Sequence, residues 1–136
     1  MRTRFVLVAL MLAGLALLAA ACRAPAKLEG TAWVLRELDG SAPLDGAAVT
    51  LVFEEEQLRG SAGCNRFFGS YEVDGKTLTI GALGSTKMAC HDPEGVMNQE
   101  QRYLELLGTA ERYEVRDGEL RITTSGGATL VFAAQE

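Results

Sequence analysis

Reactive chemistry has few residues to work with in this chain. Its 136 residues include one histidine, His91, and three cysteines, Cys22, Cys64 and Cys90. Cys90, His91 and Asp92 are consecutive, and a zinc site would need Cys64 to join them. There is no C-x-x-C pair and no second histidine, so a metal site is not expected. A Cys90–His91 nucleophile is a poorer reading, because adjacent strand residues point to opposite faces and no third group orients the pair. The sequence has no G-x-S-x-G, P-loop or dinucleotide fingerprint. Gly81 to Gly84, G-A-L-G, has the wrong spacing for a phosphate loop. Glu54-Glu55-Glu56 reads as a solvated turn. No catalytic residue and no cofactor is expected, and the chain is read as a non-enzyme.

Cys22 has a different context. Met1 to Arg4 is short and basic, Phe5 to Leu18 is uncharged and apolar, and Ala19-Ala20-Ala21 precedes Cys22. This is the pattern of a secretory signal over residues 1–21. Leu17-Leu18-Ala19-Ala20-Ala21-Cys22 resembles a bacterial lipobox, although Ala19 stands where a large aliphatic residue is usual. The resemblance implies that Cys22 is acylated and becomes the new N-terminus, held by several acyl chains. Arg23 follows it, which implies the outer membrane, facing the periplasm, in a Gram-negative cell. Residues 22–27 are then a lipidated tether.

Removal of residues 1–21, which carry Arg2, Arg4 and no acid, takes the formal charge from −5 to −7. A small acidic domain lacks the basic face of a nucleic-acid binder. Export also bears on the other two cysteines. With Cys22 taken by lipid, Cys64 and Cys90 are expected to pair in an oxidising compartment. The bond would stabilise the fold by on the order of 3 kcal/mol.

The elements that must position these residues are mostly strands. Thr31 to Leu38 is strand-like and ends at Asp39-Gly40. Val49, Leu51 and Phe53 alternate, and Leu58 to Ala62 is their partner across the acidic turn. Tyr71 to Ile80 and Tyr113 to Ile122 both read Y-E-V, then an Asp-Gly turn, then L-x-I. Each is a hairpin signal with Tyr, Val, Leu and Ile on one face. Leu130 and Phe132 belong to a last strand.

Asp92-Pro93 predicts the start of the one clear helix, with Asp92 as N-cap, and Gly108 its end. Val96, Tyr103 and Leu107 form its apolar line, widened by Met97, Leu104 and Leu106. Glu100 falls near the middle of that stripe, where a carboxylate is costly unless partnered, or at its edge if the stripe is rotated. Arg66 and Lys87 are the candidate partners. The fold expected is mainly β (α+β): a curled antiparallel sheet or partly open barrel with one packed helix.

Gly63-Cys64-Asn65-Arg66-Phe67-Phe68-Gly69-Ser70-Tyr71 and Ser85-Thr86-Lys87-Met88-Ala89-Cys90 are the densest motifs. With E-x-x-Y-L from Glu100 and L-x-G-T-x-W from Leu28 to Trp33, they resemble the META domain family, of the heat-shock lipoprotein HslJ type. The resemblance covers residues 28–134. It implies a β-rich exported domain, often lipidated, linked to envelope stress and novobiocin tolerance. It carries over no catalytic set. On physical grounds Asn65, Arg66, Phe67 and Glu100 read as structural: Asn65 in a turn or the left-handed region, Phe67 in the core, Arg66 against Glu100 or as a surface anion contact. The partners expected are the membrane, through the lipid, and an envelope protein or small ligand. The alternatives are a carrier of a small apolar ligand and a periplasmic enzyme inhibitor.

Overall fold

A computed structural model describes residues 24–136; the signal segment and Cys22 lie outside them. Nine strands and one helix follow in order: β1 (Thr31–Leu38), β2 (Thr50–Phe53), β3 (Gln57–Ser61), β4 (Arg66–Asp74), β5 (Thr77–Ile80), β6 (Gly84–Ser85), α1 (Val96–Gly108), β7 (Ala110–Arg116), β8 (Glu119–Thr124) and β9 (Thr129–Ala134). The sheet runs β3-β2-β1-β9-β8-β7-β5-β4-β6, all antiparallel, and β3 also pairs with β4. That last pairing closes eight strands into a barrel and leaves β6 as an extra short strand on β4. The expected curled sheet with one packed helix is thus present, and it closes on itself. Closure removes the free edges that an open sheet of this size would expose. The β5–β7 seam is the thinnest, a single ladder pair, Thr77 with Arg112, beside a bond from Tyr113 N–H to Lys76 O.

Alternation builds the wall. In β4, Phe67, Gly69 and Tyr71 point inward while Arg66, Phe68 and Ser70 point out. An eight-stranded barrel has room inside for side chains and little else. Here Phe53, Phe67, Phe132, Leu51, Leu58, Leu78, Leu120, Ile122 and Leu130 fill it, all essentially inaccessible.

The two Y-E-V hairpins form as expected and place their two-residue loops identically, at 75–76 and 117–118. The Asp-Gly pair is offset by one residue between them. In β7–β8 both loop residues have positive φ, Asp117 at 52° and Gly118 at 78°, the type I′ pattern. In β4–β5 Asp74 is the last strand residue and Gly75, at 60°, opens the loop, the type II′ pattern. The expected shared apolar face holds except at Val73, which is 42% exposed beyond the end of the core.

The barrel has two distinct ends. The 54–56 and 75–76 turns lie at one end with the incoming chain, Pro25 to Glu29, and Tyr71 and Tyr113. Tyr113 O–H donates to Ala26 O at 2.8 Å and Tyr71 O–H to Glu54 O at 2.8 Å. Leu28 is buried there, and Thr31 donates its hydroxyl to Leu28 O while accepting from Trp33 Nε1 at 2.7 Å. The L-x-G-T-x-W motif is therefore the seal of this end. The other end is covered by α1, whose Tyr103 lies edge-on to Phe67 and Phe132 at centroid distances of 5.5 and 6.4 Å.

The helix departs from expectation at its start. It begins at Val96 with Gly95 as N-cap, φ 87°, and not at Asp92-Pro93. Pro93 O accepts from Val96 N–H, so residues 93–95 form a turn before the helix proper. That turn sets Val96 beneath Gly63, where a β-carbon would approach the valine methyl to 3.4 Å.

Candidate functional site

The motif residues converge where α1 meets the β3–β4 connection. Glu100 is 5% exposed and Asn65 is 2% exposed. Glu100 lies in the middle of the buried helical stripe, between Val96 and Tyr103. Its carboxylate accepts three N–H bonds: from Asn65 N at 2.6 Å, Cys64 N at 3.1 Å and Asn65 Nδ2 at 2.6 Å. Hydrogen bonds to a charged acceptor are the strong ones, and they offset the cost of burying it.

The partner expected for Glu100 was a cation, and this is corrected. Arg66 and Lys87 are both exposed, and neither forms an ion pair among the described residues. Arg66 points outward because it alternates with Phe67, and a strand residue cannot share a face with its neighbour. Backbone and amide N–H groups supply what a guanidinium was expected to supply.

Asn65 is the hub. Its side chain offers two donors and two acceptor positions, and all four are used. Nδ2 donates to Glu100 Oε1 and to Met88 O at 3.0 Å; Oδ1 accepts from Met88 N at 2.7 Å and Thr86 Oγ1 at 2.9 Å. Thr86 Oγ1 also accepts from Arg66 N at 3.1 Å. Asn65 was expected to bond its own turn or to enter the left-handed region. Gly63 takes the positive φ instead, at 114°, and Asn65 reaches across 23 residues to the loop after β6.

Cys64 and Cys90 are joined, with Cα atoms 5.9 Å apart, across the same loop. The bond consumes the two sulfurs a zinc site would have needed. Among the described residues no group of three His, Cys, Asp or Glu side chains stands ready to hold a metal ion. His91 is exposed, four residues ahead of the helix N-cap. The loop from Thr86 to Cys90 is therefore gripped twice, by Asn65 and by the disulfide. Thr86 and Met88 belong to the second motif, but their part in this grip was not foreseen. The available signal was the motif itself: small polar residues without an apolar period, about twenty residues from the first motif.

Outside the wall, Phe68 is 58% exposed. Its ring lies over Gly84, where a β-carbon would come within 2.7 Å of it. Glycine there lets the aromatic lie flat against the outer wall. Phe68, Arg66, Arg59, Val52 and Thr50 line a groove of about 510 Å³. Arg59 is bound to Glu54 at 2.7 Å.

Burial displaces the titration of three tyrosines. Burial holds the Tyr103 hydroxyl far above the usual tyrosine range. Burial also raises Tyr113, and it raises Tyr71 with help from Glu29 and Glu56. No helix among the described residues is long and apolar enough to cross a membrane.

Together these features define a class: a closed eight-stranded antiparallel barrel, capped at one end by a helix and locked there by a buried carboxylate–amide network and a disulfide. The META domain matches residues 26–136, and the chain belongs to that family. A protein from Burkholderia xenovorans solved by NMR is 30% identical, with a TM-score of 0.67 over 85% of this chain and 93% of the other. A second NMR structure is 26% identical, with a TM-score of 0.63 over 78% of this chain and 90% of that one. A DUF4847 family protein from Bacteroides vulgatus, at 16% identity and a TM-score of 0.55, covers 80% of this chain and 96% of its own and shares the fold alone. No functionally curated protein matches the chain.

Proposed function

We propose that this protein is a non-enzymatic envelope lipoprotein, anchored through Cys22, that works by surface contact with another envelope protein in the stress and novobiocin-tolerance role its HslJ-type family suggests. The observation that carries the reading is the filled barrel. Fully buried aromatic and aliphatic side chains occupy the interior, so recognition falls to the outside. This disfavours the apolar-ligand carrier, which needs an enclosed cavity.

The tether leaves from one end, beside Tyr113 and Leu28, and the motif corner lies at the other. An anchored molecule would thus present Phe68, Arg66 and the Thr86–Cys90 loop away from the membrane. Exposed aromatics and arginines are the residue types that dominate contact energies. Arg66, exposed on this groove and outside any ion pair among the described residues, favours a partner with a carboxylate opposite it. An inhibitor of a periplasmic enzyme would use the same surface.

The test is a photo-crosslinking residue placed at Phe68 in living cells, with Val73 at the tether end as control. One protein captured at Phe68 and not at Val73 is expected. Equal or absent capture at the two positions would overturn the reading. Novobiocin tolerance that survives Phe68→Ala and Arg66→Glu together, in a protein of unchanged thermal midpoint, would overturn it as well. Loss of membrane association in Cys22→Ala checks the anchor.

A further inference from the structure

The sequence has four methionines. Met1 and Met11 precede the described residues; Met88 and Met97 both flank Cys90, beside the only histidine, His91. Neither methionine serves the core. Met88 is 57% exposed and Met97 36%, while the barrel interior uses no thioether at all. The Met97 sulfur lies against the loop, accepting from Cys90 N at 3.5 Å. Met88 is two residues before Cys90 and His91 one after, spans of about 7 and 4 Å at most along the chain. A methionine side chain has three rotatable bonds with which to close the remaining gap.

The loop that carries Met88 and leads into His91 is held at two points. Asn65 grips Met88 through both its N–H and its C=O. The disulfide fixes Cys90, and Met97 sits one helical turn before Glu100, the acceptor that fixes Asn65. The buried carboxylate, the saturated amide and the disulfide thus fix the backbone at Met88 and Cys90, the Met97 sulfur rests against Cys90, and His91 follows directly.

We propose that Met88, His91 and Met97 form a binding site for a soft monovalent cation, Cu(I) or its stand-in Ag(I). Thioether sulfur is a soft ligand that selects Cu(I) over the hard cations, which take oxygen, and imidazole suits copper equally. The bonded cysteines offer no thiolate, so the site gives zinc one imidazole and too few of its usual ligands. Exposed Asp92 and Glu94 follow His91 and add negative potential at the approach. The ion binds and leaves in one oxidation state, and no electron changes hands. The site shares the Thr86–Cys90 loop with the contact face but does not rest on that reading: a molecule that captures nothing at Phe68 still carries it.

The experiment is a titration of the mature protein in detergent, residues 1–21 removed, Cys22 acylated and the disulfide intact, with Ag(I), which is redox-inert. Methionine ε-methyl and histidine ring resonances are followed by NMR. Expected is one ion per chain, shifting the Met88 and Met97 methyls and the His91 ring together. Met88→Leu and His91→Gln should each weaken binding about tenfold or more, the scale seen when even a supporting partner of a metal ligand is lost. Both positions are exposed, and an unchanged thermal midpoint shows that the fold is intact. Ag(I) binding of equal strength in the Met88→Leu, His91→Gln, Met97→Leu protein would overturn the site. So would binding that appears only after reduction of Cys64–Cys90, since thiolates would then be the ligands. Tighter binding of Zn(II) than of Ag(I) would overturn it too.

Discussion

Glu100 and Tyr103 are three residues apart on the same buried face of α1, and they are opposites. Glu100 ends in a carboxylate that receives three N–H bonds. Tyr103 ends in a hydroxyl that is fully buried and has no partner. One end of the stripe abuts the β3–β4 connection, where strand pairing stops and backbone N–H groups are free to be claimed. The other reaches into the barrel, against the rings of Phe67 and Phe132 on paired strands. Of the two buried polar side chains on this helix, the one satisfied is the one where the sheet has ended. Glu100 therefore fixes a loop, whereas Tyr103 contributes volume and ring contacts, and its hydroxyl is a net cost. Tyr71 and Tyr113 make the same point, since both hydroxyls reach carbonyls at the rim of the opposite end.

The largest effect should come from removing the satisfied group. Glu100→Leu keeps an apolar stripe but strands the N–H groups of Cys64 and Asn65 and one N–H of the Asn65 side-chain amide. Each buried orphan costs about 1–3 kcal/mol, so a loss of about 3–5 kcal/mol is expected. It would read as a lower urea midpoint at unchanged slope. Hydrogen exchange in the 86–91 loop should rise in the same variant. A protein of wild-type stability would mean that the corner is held by packing alone.

Opening the disulfide is next. Cys64→Ser with Cys90→Ser should cost on the order of 3 kcal/mol for a loop of 26 residues. Asn65 still grips Met88, so the loop should loosen without the barrel opening. Thiol labelling of the unreduced protein checks the bond itself: uptake at both positions would reject it.

Tyr103→Phe should do the reverse of Glu100→Leu. It deletes an unpartnered hydroxyl and leaves the ring contacts, for a gain of up to about 1 kcal/mol. The alkaline limb sharpens the contrast. Folded Tyr103 keeps its proton well above the usual tyrosine range, whereas the unfolded chain releases it near about pH 10. Above that pH the unfolded state binds fewer protons, so stability falls as pH rises, by about 1.4 kcal/mol per pH unit for each proton. Tyr71 and Tyr113 are raised as well and act with the same sign. Tyr103→Phe should remove one proton from that slope. An unchanged alkaline limb would show that water reaches the hydroxyl and that it ionises in the folded protein as it does in the unfolded chain.

Much of this was readable in the chain, and the gaps have physical causes. Two-residue periodicity found the hairpins, because adjacent strands pair locally and each face declares itself. It could not find closure: β1 pairs with β9 and β3 returns to β4, and only β3–β4 is local. Glu100 stood out as a carboxylate on an apolar stripe, but its partners did not, because backbone N–H groups leave no mark on residue type. Asp92-Pro93 resembled a helix start, yet the chain needs the 93–95 turn to place Val96 under Gly63. Val73 kept its alternation but ran past the end of the core.

The smallest expected effect separates the corner as it is from the corner as charge pairing would have built it. Had Arg66 been the partner of Glu100, removing it would leave a buried carboxylate unpaired, at a cost of about 3–5 kcal/mol. Arg66 is instead exposed on the outer face of β4, and only its backbone joins the network, through Thr86. Arg66→Gln keeps that backbone, so the urea midpoint should move by less than about 0.5 kcal/mol equivalent, the usual range for surface positions. A large loss would return the guanidinium to Glu100 and dissolve the contrast with Tyr103, because both groups would then depend on what side chains happen to reach them. A null result on stability leaves the guanidinium free for contact, and any loss of crosslinking at Phe68 in Arg66→Gln is then a property of the surface.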